Sequence, residues 1–330
     1  MKKFLLLLLT IASVQLVAQE VARTIVVEHF TNSRCGICSS RNPGFYNNLN
    51  SQEGILHISF HPSSPYPNCV LHQVNPGENN DRTTYNGVFG GTPRLVIQGE
   101  AISASTNYGN ASIFEPYQNQ TTPISITIEQ HKPAGEMTIR ATITAETDNE
   151  IGMAKLFLGA AEAVVMYNAP NGEDEHYDVF RRTFNGEPTG ADIAVPATAG
   201  ESVIIDATIM PEEDWVVDEL FTVAILQDAD SRAVIQSAAS DPADNSPITN
   251  TQELNTLEAS IYPNPVSDLL TIQLADQGEA TFVLRDGTGR NLLNGVFQQQ
   301  TQVDMERLPA GTYWLEITTA DAQAVRKVVK

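Results

Sequence analysis

Three cysteines in 330 residues are too few for a disulfide-stapled scaffold, and the odd count leaves at least one thiol outside any internal pair. Basic side chains are scarce as well: 19 Lys and Arg stand against 40 Asp and Glu, a formal charge of −21. Proteins that hold a nucleic-acid backbone do so with Lys and Arg, so nucleic acid is excluded as a partner class. Past the first residues no apolar run is long enough to cross a bilayer, which argues against a transmembrane chain. The sequence also lacks a nucleophile elbow, an H-E-x-x-H pair and a phosphate loop, and it implies no cofactor.

What is present begins with an export pattern. Lys2 and Lys3 precede an apolar run from Phe4 to Ala12, and the small residue Ala18 follows shortly after. Residues 1–18 therefore read as a signal peptide cleaved after Ala18, which takes the cysteines into an oxidising environment.

Thr24 to Ser40, TIVVEHFTNSRCGICSS, carries an apolar, β-branched run straight into Cys35 and Cys38 at an expected helix start. A run with no alternation fits a strand covered on both faces. A second apolar strand is expected at Ile55–Phe60, a short helix at Glu78–Tyr85, and a third strand at Leu95–Ile97, directly after Gly90-Gly91-Thr92-Pro93. That is an α/β order. A sulfur at a helix N-terminus faces unpaired N–H groups and the positive end of the helix dipole, which favour the thiolate. Cys35 is thereby the candidate nucleophile and Cys38 the resolving thiol, with His29 or Glu28 as a proton relay. Two other readings of the same cysteines stay open. One is a permanent structural disulfide; the other is a zinc site of Cys35, Cys38, Cys69 and His72.

C-G-I-C after the first core strand, with Thr92-Pro93 just before a later strand, resembles a thioredoxin-like domain. EHFTNSRCGIC and DRTTYNGVFGGTPRLVIQG are similar to the thioredoxin-like half of a family of Bacteroidetes secreted and outer-membrane proteins. The resemblance implies an α/β domain over residues 21–120, a cis Pro93 beside the dithiol, and protein thiol or disulfide substrates. Arg34 stands where thioredoxins carry tryptophan, and His29 where they keep a buried acid.

From Pro123 the texture turns to β. Ile124, Ile126 and Ile128 alternate with Ser125, Thr127 and Glu129, and further strands are expected at Met137–Ile143, Leu156–Val165, Val203–Ile209 and Phe221–Leu226. Residues 121–239 thus read as a separate immunoglobulin or fibronectin-like sandwich. Its acidic stretch Gly172–Asp178, GEDEHYD, lacks the ligand spacing of a calcium loop and reads as a solvated turn.

Residues 240–258 are polar, contain two prolines and show no periodicity, the composition of a linker. Beyond them come Tyr262-Pro263-Asn264-Pro265, a D-G-T-G turn at 286–289, Leu308-Pro309-Ala310-Gly311 before a strand, and a last strand with Arg326, Lys327 and Lys330. This module, residues 259–330, resembles the type A sorting domain of type IX secretion cargo. Tyr262, Pro263, Asn264, Pro265, Gly311, Lys327 and Lys330 are the positions that carry the resemblance. It implies recognition by the type IX machinery, removal of the module by a sortase-like peptidase, and a product released or attached to the outer-membrane surface.

Overall fold

The computed structural model describes residues 19–248, 255–257, 259–275, 278–286, 290–319 and 322–330; the expected signal peptide, part of the linker and most of the 286–289 turn lie outside the described residues. The chain divides into two units, 1–248 and 249–330.

In the first unit β1 (Val21–Ala22) leads into β2 (Ile25–Phe30), α1 (Gly36–Asn50), β3 (Ile55–Phe60), α2 (Val70–Val74), α3 (Pro76–Tyr85), β4 (Arg94–Ile97) and β5 (Glu100–Ala101). There follow β6 (Thr121–Thr122), β7 (Ile124–His131), β8 (Met137–Ala145), β9 (Met153–Met166), β10 (Glu175–Thr183), β11 (Ala191–Ala194), β12 (Ser202–Ile209), β13 (Leu220–Asp228) and β14 (Val234–Ala239).

The expected pairing of an α/β thioredoxin-like domain with a separate sandwich is overturned. The chain is mostly β, 45% strand against 13% helix. β2 to β5 do not close a sheet of their own. They belong to one nine-stranded sheet in the order β14-β13-β9-β10-β3-β2-β4-β5, with β11 beside β9. The physical reason is the free edge of β3, whose unpaired backbone groups are met by β10 running parallel to it, with Val179 opposite Ser59. Ser59 Oγ reinforces the junction by donating to the Tyr177 carbonyl at 2.8 Å.

All six residues of β2 are buried, because the sheet is covered on both faces. Ile25 and Val27 face Phe45 and Leu49 of α1, together with Tyr108 and Phe114. Val26 and Phe30 face the other way and join Phe60, Phe157, Phe180 and Val223. Farther along, the three-stranded sheet β12-β8-β7 packs its alternating apolar face, Ile139, Ala141 and Ile143, against Leu156, Leu158 and Leu226 of the large sheet. The β4–β5 turn is held close to the loop before β14. A Cβ on Gly99 would sit 2.0 Å from the Arg232 carbonyl oxygen, and its φ of 85° is one that glycine adopts freely.

Glu28 sits on the same face of β2 as Val26, fully buried, and meets Arg82 of α3. Arg82 donates Nε to Oε2 at 2.6 Å and Nη2 to Oε1 at 2.9 Å. The remaining guanidinium hydrogens reach the Gln227 side chain at 2.8 Å and the Pro188 carbonyl at 3.2 Å.

The second unit contains β15 (Asn255–Thr256), β16 (Ala259–Tyr262), β17 (Leu269–Leu274), β18 (Glu279–Arg285), β19 (Asn291–Gln298), β20 (Gln300–Asp304), β21 (Thr312–Thr318) and β22 (Ala322–Val329). They form two sheets, β15-β22-β21-β18-β19 and β16-β17-β20, around Leu270, Ile272, Leu284, Leu315 and Ile317.

Arg82→Met leaves the Glu28 carboxylate buried without its counter-charge. We expect the unfolding free energy of the first unit, from urea titration, to fall by about 3–5 kcal/mol.

Candidate functional site

Asn32 is the central anchor of the loop from Thr31 to Arg34, which Asn42 also holds at Thr31 and the Asn68 carbonyl at Arg34. Asn32 donates to the carbonyls of Pro62 at 3.1 Å and Tyr66 at 3.2 Å, and its oxygen accepts the Arg34 N–H at 3.0 Å. The Asn32 carbonyl takes the Cys35 N–H at 3.0 Å, which completes the turn into the helix. Cys35 is the N-cap of α1, with an extended backbone, and its Sγ accepts the Cys38 N–H at 3.1 Å, the role an N-cap oxygen usually fills. Cys35 and Cys38 are joined in a disulfide, and both residues are buried. The Thr92 carbonyl oxygen lies 3.5 Å from Cys35 Sγ, and the Thr92–Pro93 peptide is cis. The structure thus brings Cys35, Cys38 and Pro93 together. Ile37 between the two cysteines is 62% exposed.

The two relay candidates part company. Successive strand side chains point to opposite faces, so His29 lies under α1 while Glu28 is committed to Arg82. The His29 ring is fully buried against Phe45, with 4.8 Å between centroids, and beside Tyr46 at 5.8 Å. The four zinc candidates are not gathered. Two are in the disulfide, Cys69 Sγ lies 3.1 Å from Ser33 Oγ, and His72 Nδ1 donates to the His61 carbonyl at 2.9 Å. Among the described residues no group of three or more His, Cys, Asp and Glu side chains could hold a metal ion.

The sequence reading missed that Glu173 and Asp178 of the acidic stretch belong to this site; Gly172, Asp174 and Glu175 are exposed, as a solvated turn would have them. Glu173 accepts from Asn42 of α1 at 2.7 Å and from Asn171 at 2.5 Å, and Asn171 donates on to the carbonyl of Cys35 at 3.3 Å. Asp178, with a φ of 50°, accepts from His57 Nδ1 at 2.7 Å, and His57 Nε2 lies 3.4 Å from His29 Nδ1. Spacing could not reveal contacts between residues more than a hundred positions apart. The one available signal was His57 itself, a polar residue inside the apolar strand ILHISF that needed a partner. Between α1 and this stretch opens a cleft of about 520 Å3, lined by Ser39, Asn42, Tyr46, Glu173 and Tyr177 among others.

Burial, reinforced by neighbouring histidines, holds His29 and His61 well below the ordinary histidine range, so both are neutral at pH 7. Burial likewise pushes the Tyr46 phenol up, with Glu173 and Asp178 adding to it.

In the second unit the motif residues converge on the last strand. Asn264 donates to the Lys327 carbonyl at 2.8 Å and accepts the Val329 N–H at 2.9 Å. Its neighbours form two cis peptides, Tyr262–Pro263 and Asn264–Pro265. Lys330 Nζ donates to the carbonyls of Met305 at 2.5 Å, Glu306 at 2.7 Å and Leu308 at 2.8 Å, while its backbone exchanges hydrogen bonds with Gly311 at 2.9 and 3.0 Å. Residues 260–330 match the family model of the secretion system C-terminal sorting domain. The second unit is a sorting domain. It marks the protein for type IX export, as cargo that is secreted or attached to the outer-membrane surface. Among the described residues no helix is long and apolar enough to cross a membrane.

For the chain as a whole, the solved structure of HBP35 of Porphyromonas gingivalis is similar in fold, with 15% identity over 94% of this chain and 98% of that one and a TM-score of 0.59. A domain of the outer membrane lipoprotein Omp28 from Porphyromonas gingivalis shares 13% identity over 38% of this chain and 92% of that one; its TM-score of 0.29 carries no argument. No curated protein matches the chain. Membership of a thioredoxin-like family finds no support in these comparisons.

Two expectations follow. Histidines kept neutral by burial favour the fold only while the unfolded chain is also neutral. Below pH about 6.5 the unfolded chain takes up protons that the folded one refuses, so stability falls with falling pH. For His29 and His61 the loss approaches about 1.4 kcal/mol per pH unit each, measurable by urea titrations between pH 7 and pH 5. In the sorting domain, Asn264→Ala removes both clamps on β22 and is expected to cost about 1–2 kcal/mol. Its export should drop, seen as a shift of the protein from the cell surface to the periplasm, with deletion of 259–330 as the reference for complete loss.

Proposed function

We propose that the exported protein is a surface or secreted thiol–disulfide exchange protein that works through Cys35 and Cys38, with cysteine-containing proteins as substrates. The observation that carries this reading is the position of Cys35, an N-cap sulfur at the head of α1 that accepts the Cys38 N–H and lies 3.5 Å from the Thr92 carbonyl oxygen. A thiolate released there is favoured by the unpaired N–H groups and dipole of the helix end. A structural role explains the bond less well. A ring of four residues constrains the unfolded chain little, worth about 2 kcal/mol, against about 3 kcal/mol for a 15-residue loop. Export fits the scheme: residues 1–18 act as the signal peptide across the inner membrane, and a sortase-like peptidase removes the sorting domain at the surface.

The burial of both sulfurs favours a second reading, a binding protein with an inert disulfide. Equilibration with glutathione buffers separates the two. Exchange predicts a reduction potential above about −300 mV; a value below it identifies a bond that resists the glutathione pool and would sink the first reading.

A further inference from the structure

At the end of β4 away from Pro93, two side chains hold buried donors with nothing to bind. Gln98 follows β4 and, with Gly99, forms the two-residue turn into β5; its φ is 52°, at a position where asparagine or glycine is usual. The Gln98 N–H donates to the Val26 carbonyl at 3.1 Å, and its side-chain Oε1 accepts the Val26 N–H at 2.9 Å. That second bond fixes the amide, because only its oxygen can accept, and so Nε2 is the donor left over. Gln98 is 6% exposed, and Nε2 is buried with no hydrogen-bond partner among the described residues.

Arg23, just before β2, reaches the same place. The Gln98 carbonyl accepts the Val234 N–H at 3.2 Å, and the Val234 carbonyl accepts Arg23 Nη1, also at 3.2 Å. Arg23 Nε is buried and has no partner among the described residues. The edge formed by Nε and Nη2 is a fork that matches a carboxylate, and Arg82 uses that same edge on Glu28. Among the described residues no carboxylate pairs with Arg23, and burial pulls its pKa down with no neighbouring charge to oppose it. A cleft of about 530 Å3 opens here, lined by Arg23, Gln98, Glu100, Tyr117, Gln120 and Arg232 among others. That lies within the range of small-molecule sites, about 300–1,000 Å3. The neighbours are already engaged: Tyr117 donates to Glu100 at 2.9 Å, Gln120 to the Pro116 carbonyl at 2.7 Å, and Arg232 to the Tyr85 carbonyl. Burial and Glu100 push the Tyr117 phenol up, so it keeps the proton that it donates.

We infer that this cleft is a binding site for a carboxylate ligand, held by the Nε and Nη2 edge of Arg23 and by Gln98 Nε2. Donors that lack acceptors call for a ligand rich in acceptors, and a half-buried guanidinium without a counter-charge calls for a negative one. Glu100 in the wall decides between anions. It repels a phosphate dianion about twice as strongly as a singly charged carboxylate. Both donor atoms lie beneath the cleft surface, so the carboxylate meets them as the Arg23 guanidinium turns off the Val234 carbonyl, a single bond of 3.2 Å. A flat carboxylate then faces the planar fork, the arrangement that Arg82 and Glu28 already show in this fold.

Nothing in this site depends on the cysteines, so it stands whether or not the Cys35–Cys38 bond exchanges. A free small acid and the C-terminus of a polypeptide carry the same group, and the test separates them.

The full chain, isotope-labelled for NMR, is titrated at constant ionic strength with four probes: acetate, an acetylated dipeptide with a free carboxylate, the amide of that dipeptide, and inorganic phosphate. The readout is the Arg23 Nε–H resonance, identified by its loss in Arg23→Gln. Acetate or the free-acid dipeptide is expected to shift it saturably, and the amide is not. A dipeptide that binds more tightly than acetate assigns the site to a polypeptide end; equal or weaker binding assigns it to small acids. In Arg23→Gln the affinity, followed on the Gly99 backbone amide, is expected to fall by about 10–100-fold, the worth of a hydrogen bond to a charged group. Gln98→Glu keeps an oxygen for the Val26 N–H and sets a carboxylate before the Arg23 edge. Its resonance should sit near the ligand-bound position from the start and no longer titrate. Three results would each overturn the inference: no saturable shift with either carboxylate up to about 10 mM, phosphate binding more tightly than acetate, or wild-type affinity in Arg23→Gln. Should Arg23→Gln not fold, Gln98→Glu decides, because a variant that titrates like the wild type overturns it as well.

Discussion

The ion pair between Arg82 and Glu28 is the constraint on which the first unit depends. Taking two charges out of water costs several kcal/mol per ion, and mutual attraction offsets this only when geometry and the remaining hydrogen bonds are both satisfied. Here the pair is bidentate, Asn86 donates to Glu28 at 3.1 Å, Gln227 and Pro188 accept from Arg82, and the guanidinium lies 4.6 Å from the centre of the Phe157 ring. These partners come from β2, α3, β9, β13 and the loop before β11. Glu28, Arg82 and Asn86 pair the charges from before residue 120, and Gln227 and Pro188 take the hydrogens that Glu28 leaves, so the pair ties the segments on either side of residue 120 together.

The same pair fixes β2, and β2 is the element with two faces. Val26, Glu28 and Phe30 commit one face to the shared core; Ile25, Val27 and His29 lie under α1. The site is therefore assembled on a strand that the ion pair holds from behind. Its other walls come from far along the chain: Asn171 braces the Cys35 carbonyl, Glu173 holds Asn42, and Asp178 orients His57. The parallel pairing of β10 with β3 brings Asp178 to His57, and Asn171 and Glu173 stand in the segment just before β10.

Local features of the chain were legible. The β-branched run at Ile25–Val27, the apolar run at Ile55–Phe60 and the alternation from Ile124 all became strands, and the cysteines stand at the start of a helix. The motifs of the sorting domain were legible as short strings, prolines before a strand and Gly311 before β21, while the carbonyls that Lys330 reaches lie more than twenty residues away. What stayed hidden was contact across distance. A strand edge is equally ready for any partner, so nothing in β3 announces β10. An acidic stretch reads as solvated until the chain brings asparagine and histidine donors to it. Glu28 and His29 looked interchangeable as relays because composition does not tell which face of a strand meets which helix.

A disulfide in a ring this small contributes little to holding the molecule together, and the structure does not ask it to. The long-range work is done by the buried ion pair, by the aromatic cluster of Phe30, Phe60, Phe157 and Phe180, and by Asn32, which pins the Thr31–Arg34 loop without help from the disulfide. The turn that delivers Cys35 to the helix is made by the side chain and carbonyl of Asn32, so it does not depend on the bond between the cysteines. A cysteine pair whose loss would unfold its own surroundings could not serve exchange; this pair is placed where the fold is already fixed.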